Sequence, residues 1–120
     1  MKGIYTLFSF LILFTSNGFA QKESYYKRVF VDAEYYVLYE EYKDALPLYK
    51  ELYKAGKTSA NICYRIGQCF LNIPGEKEKA ITYLQKATQQ ISATYKEGYY
   101  TESAAPKEAY LLLGNAYRIA

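Results

Sequence analysis

The chain is predicted to be all-α, a stack of antiparallel helix pairs behind a short N-terminal leader. Three observations point there: an internal period near 34 residues, helix punctuation in step with that period, and an apolar N-terminal run flanked by a lysine and by small residues. The period shows in Ala33-Glu34-Tyr35-Tyr36, Gly67-Gln68-Cys69-Phe70 and Gly114-Asn115-Ala116-Tyr117, each a small residue followed three positions later by an aromatic. Downstream of the first two lie Ala45-Leu46-Pro47-Leu48-Tyr49-Lys50-Glu51-Leu52 and Ala80-Ile81-Thr82-Tyr83-Leu84-Gln85-Lys86-Ala87. In both, an alanine is followed by a large apolar residue four later and another apolar residue three after that. Ala33 to Gly67 is 34 residues and Ala45 to Ala80 is 35, a spacing at which single helix pairs stack on their neighbours.

The leader comes first. Met1 and Lys2 form a minimal basic region, Ile4–Phe14 carries no charge, and Thr15–Ala20 is polar with small residues at Gly18 and Ala20. This is the pattern of a secretion signal cleaved before Gln21. A membrane anchor needs about 20 apolar residues, more than this run supplies. Export to the periplasm or to the outer membrane is therefore expected, with residues 1–20 as signal and 21–120 as the helical domain. No cysteine stands near the cleavage point, which argues against a lipid-modified terminus.

Within that domain the first helix is expected from Ser24, as N-cap, to about Tyr39. A turn over Glu40–Lys43 leads to a second helix, Asp44–Lys54, with Pro47 near its first turn and Gly56 beyond its end. Ser59 or Asn61 caps a third helix reaching Leu71. Pro74-Gly75 is a turn signal, and Glu76 opens a fourth helix expected to run to Tyr95. Tyr99–Ala105 reads as loop, and Pro106 starts a fifth helix. The repeats are then about 24–57, 58–95 and a partial 106–120. In each pair the small residue of the first helix admits the second helix closely. Tyr49, Leu84, Leu52 and Ala87 line the facing stripe.

Composition narrows the function classes. The chain of 120 residues has 15 basic and 12 acidic residues, interspersed without a Lys/Arg block, so nucleic acid is not an expected partner. There is no histidine, and Cys63 and Cys69 are the only cysteines, with no CxxC. No metal, cofactor or phosphate-binding motif is present. On one helix the two thiols would be about 9 Å apart by rise alone and point to different faces, so they are expected as buried small hydrophobes without a disulfide. A redox accessory role would need one of them exposed and reactive. The pairs Glu40/Glu41 and Glu76/Glu78 do not face one another and read as solvated turns, so the chain is not expected to be an enzyme.

The small–aromatic and alanine–apolar pattern resembles the tetratricopeptide repeat (TPR) superfamily over residues 24–120. The signature tryptophan is absent: Val29, Cys63 and Tyr110 stand in its place. A narrower likeness is carried by Tyr42–Tyr49, Tyr64–Asn72 and Glu76–Ile81. These are similar to the N-terminal TPR segment of bacterial envelope proteins that continue into a β-propeller and an OmpA-like, peptidoglycan-binding domain. The loop from Tyr95-Lys96-Glu97-Gly98 to Ala105-Pro106 fits that pattern and lengthens the interval from Gly67 to Gly114 to 47 residues.

The resemblance implies a right-handed superhelical stack of about two and a half repeats, binding a protein or peptide partner on its concave face. Register nominates Phe30, Glu34 and Val37, then Tyr64, Gln68 and Leu71, then Leu111 and Asn115 for that face. It also implies an alternative, the N-terminal piece of an OmpA-like envelope protein working in a peptidoglycan-associated complex. The tyrosines at 35, 36, 39, 42, 49 and 53 keep helical spacing and are expected to pack between helices, whereas Tyr99 and Tyr100 fall in the inserted loop. Residues 106–120 form a first helix without its partner. Their stripe of Tyr110, Leu113, Gly114 and Tyr117 would face water, so these residues are expected either to cap the second repeat imperfectly or to be covered by further chain, a partner or a second copy.

Overall fold

The computed structural model describes residues 2–119, with side chains described from Gly18 onward. The described residues are mainly helical: α1 (Lys2–Leu38), α2 (Tyr42–Lys54), α3 (Ala60–Leu71), a 3-10 turn (Lys77–Lys79), α4 (Ala80–Ala87) and α5 (Glu108–Ile119). Among the described residues the only extended pairing is an isolated bridge between Ile91 and Ala105. The expected leader falls mostly on residues whose side chains lie outside the described set. No helix among the described residues is long and apolar enough to cross a membrane.

Repeated positions of the first two segments form much of the core, whereas Gly114 and Tyr117 of the third are exposed. Ala33, Ala45, Tyr49, Leu52, Ala80, Leu84 and Ala87 have no exposed surface, and Val29 and Cys63 are buried beside them. α1 packs along α2, α3 along both α2 and α4, and α4 along α5. Burying a leucine, an isoleucine or an aromatic ring of this kind contributes about 1.5–3 kcal/mol, which no single helix here gains alone. Gly67 shows why a small residue is needed. A Cβ placed there would lie 2.5 Å from Leu84 Cγ, so α3 and α4 meet without room for a methyl group. Gly114, at the same place in the third segment, meets nothing within 4 Å.

Helix ends follow backbone chemistry. Ser59 caps α3, its hydroxyl accepting from the Ile62 N–H at 3.3 Å. Asn61, the other candidate, is instead buried inside the helix. α1 closes with paired bonds from the N–H groups of Glu41 to Tyr36 O and of Glu40 to Val37 O. This motif puts Glu40 in the left-handed region at φ 58°, a conformation that costs a side-chain-bearing residue about 1–2 kcal/mol. α2 closes in the same way at Gly56, where φ is 91°.

Several boundaries differ from expectation: a 3-10 turn occupies Lys77–Lys79, so α4 begins at Ala80 and not at Glu76, and α5 begins at Glu108 and not at Pro106. α1 does not begin at Ser24 but runs through it, because Ala20-Gln21-Lys22-Glu23 are strong helix formers with no breaker among them. α2 begins two residues early, at Tyr42, which moves Pro47 to its second turn on the exposed side. α4 stops at Ala87 and not near Tyr95. There the Thr88 hydroxyl turns back to the Gln85 carbonyl (2.9 Å), and the Ser92 N–H donates to Ala105 O (3.0 Å). Polar and β-branched side chains thus divert the backbone from helix into the bridge.

The packing at position 67 leads to a pair of opposite outcomes. Gly67→Ala should destabilise the chain by about 1–2 kcal/mol, overpacking against Leu84 outweighing the gain in helix propensity. Gly114→Ala, in open space, should stabilise it by about 0.5–1 kcal/mol. Urea unfolding followed by circular dichroism measures both.

Candidate functional site

A groove of about 490 Å³ opens between α1, α3 and the segment joining α4 to α5. Its α1 wall is apolar and largely bare: Val31 is 51% exposed, Tyr35 58% and Leu38 75%. α3 forms the floor with Tyr64, Arg65 and Gln68. The opposite wall brings Glu97 and Gly98 from the connection and Glu108 from the start of α5.

Arg65 organises the floor. It is 3% exposed and grips Glu34 of α1 with two bonds, Nε to Oε2 at 2.7 Å and Nη2 to Oε1 at 2.9 Å. Nη1 donates to Gln68 Oε1 at 2.8 Å, and Nη2 also reaches Glu97 Oε1 at 3.3 Å. From α2 the buried Tyr49 hydroxyl donates to the same Glu34 carboxylate. The guanidinium also sits over the Tyr64 ring, 5.4 Å from its centroid. Burial opposes the charge on Arg65, but the bonds and Coulomb attraction of Glu34 more than offset it and hold the guanidinium above its ordinary range.

The connection is fixed and closes one side of the site. Tyr95 donates to Asn61 Oδ1 at 2.5 Å and packs edge-on against Tyr64, and the Asn61 N–H donates to Ser103 O at 3.2 Å. Tyr64 donates to Glu108 Oε2 at 3.2 Å. Tyr100 packs edge-on against Phe30, with centroids 5.7 Å apart, and donates to Glu23 Oε2 at 2.9 Å. Tyr99 stays exposed.

Of the eight residues nominated by register, Glu34, Val37, Tyr64 and Gln68 line the groove. Phe30 and Leu71 do not reach it and belong to the core. Tyr100 covers Phe30, and the turn after α3 brings Lys77 back to donate to Leu71 O at 3.1 Å. Leu111 and Asn115 lie on α5 outside the groove, Leu111 exposed and Asn115 half-buried. The tyrosine stripe divides. Tyr49 is buried and Tyr36, Tyr42 and Tyr53 are half-buried, but Tyr35 and Tyr39 stand exposed with centroids 4.8 Å apart.

Register missed Arg65, Glu97, Glu108 and the bare wall of α1. A signal for Arg65 was present: an arginine inside the apolar run Ile62–Leu71 requires a carboxylate, and Glu34 faces the same side one repeat earlier. Nothing in the sequence marks where the connection folds back. Both cysteines are buried and free, and burial pushes each thiol up, Cys69 to about 12, which opposes a redox role. Comparison with known protein families, curated proteins and solved structures finds no match. The functional reading therefore rests on the groove itself.

Burial also holds the tyrosines at and beneath the groove floor neutral: Tyr95, behind Tyr64, is pushed up to about 12, and the buried Tyr49 and the groove-lining Tyr64 are raised as well. The unfolded chain releases these protons near pH 10, and the folded chain keeps them. Stability from this source is complete below about pH 10 and is lost as pH rises through about 12. In an alkaline titration the last tyrosinate absorbance should appear together with loss of helical circular dichroism. Complete ionisation with the helices intact would contradict the burial described here.

Proposed function

We propose that the chain is a TPR-type interaction module of the bacterial cell envelope. In this reading the groove between α1, α3 and the connection holds a protein or peptide partner. The observation that carries it is the α1 wall, where Val31, Tyr35 and Leu38 stay exposed beside a floor fixed by buried polar bonds. An apolar strip bordering a rigid polar floor suits a peptide, whose side chains bury on the strip while its orientation is set by the polar groups. The close packing at Ala45, Gly67 and Ala80 supports the repeat assignment, since these are the positions where paired helices must meet. The N-terminal run from Ile4 to Phe14 supports export.

A photo-crosslinking residue at Tyr35 should trap a discrete adduct in cells, and the same residue at Lys50, exposed on α2, should not. Equal labelling from both positions, or none from Tyr35, would refute the groove as the contact surface.

A further inference from the structure

The charges around the groove identify what kind of segment fits it, an inference that rests on the binding role proposed above. Among its lining residues Arg65 is the only cation, and Glu34 already holds it with two bonds. Three carboxylates remain at the mouth. Glu97, its side chain 76% exposed, keeps one 3.3 Å contact with Arg65. Glu108 is exposed and accepts only the Tyr64 hydroxyl. Glu40 is exposed where α1 ends, beside the negative pole of that helix. The N-terminus of α5 offsets part of the charge at Glu108, but no second cation lines the site. Glu40 also occupies a left-handed position that a glycine fills at lower energy, as Gly56 does after α2.

We propose that the groove takes a basic amphipathic segment of a partner protein, with lysine or arginine side chains toward Glu40, Glu97 and Glu108 and apolar side chains against Tyr35 and Leu38. Charge complementarity selects this occupant. An acidic segment would face three carboxylates with Arg65 already engaged, and an uncharged one would leave them without partners. A second copy of this chain is a poorer fit, because its own basic residues are interspersed with acidic ones.

Fluorescence anisotropy with the purified chain tests this. The probes are two labelled peptides of equal length, leucine–lysine and leucine–glutamate, with leucines at helical spacing. The lysine peptide should bind, weaken about tenfold in the variant Glu40→Gln/Glu97→Gln/Glu108→Gln, and weaken again with added salt. Leu38→Ser should weaken it too, and Glu78→Gln, away from the groove, should leave it unchanged. Glutamine keeps the acceptor for Tyr64, and matched circular dichroism checks folding. Equal binding of both peptides, no loss in the triple variant, or no binding of the lysine peptide would overturn the proposal. Self-association abolished by Leu38→Ser would place a second copy in the groove and overturn it as well. Preference for the glutamate peptide, lost in Leu38→Ser, would refute the charge assignment while leaving the groove a binding surface.

Discussion

Arg65 and Glu34 form an ion pair buried between the first helices of successive segments, with both guanidinium edges and the carboxylate satisfied. An arginine in the interior is tolerated only with a partner held in good geometry, so the pair fixes α1 against α3 to within hydrogen-bond tolerance. Tyr49 adds α2 through the same carboxylate, and Glu97 adds the connection. Four parts of the chain therefore meet at one point. The groove lies directly above that point, and its floor cannot shift without breaking several buried bonds together.

Around this network the packing is ordinary and apolar. Alanine and glycine where helices touch, with leucine and tyrosine filling the spaces between, account for the helix pairs. The inserted connection is a structural part in its own right. Tyr95 and Tyr100 pin it to α3 and α1, so it walls the site where a free loop would leave it open. Tyrosine suits this role because its ring buries area while its hydroxyl reaches a polar partner. The abundance of tyrosine in the chain follows in part from this use, at Tyr49, Tyr64, Tyr95 and Tyr100.

Most of the helical layout was legible in the sequence because helix spacing and turn residues are local signals. Gly56, Ser59 and Pro74-Gly75 each mark a boundary that the structure keeps. The short α4 was not legible. Its end depends on a bridge from Ile91 to Ala105, a contact across fourteen residues that no periodicity encodes. Part of the groove was legible, because Glu34, Val37, Tyr64 and Gln68 share a face by register. Phe30 shares that face too, but Tyr100 covers it from a distant part of the chain. The exposed side of α1 escaped notice because Tyr35 and Leu38 keep the same spacing as core residues, and only the tertiary fold separates them.

One buried polar network thus holds α1, α2 and α3 in register. Chemical denaturation of Arg65→Met and of the combined Glu34→Leu/Tyr49→Phe/Arg65→Met variant tests it most directly. The single change should cost about 3–5 kcal/mol by leaving Glu34 charged and buried, and the combined change should recover most of that loss by removing the orphaned groups together. A cost below about 1 kcal/mol for Arg65→Met, as for an exposed pair, would contradict the account. So would a combined variant less stable than Arg65→Met alone.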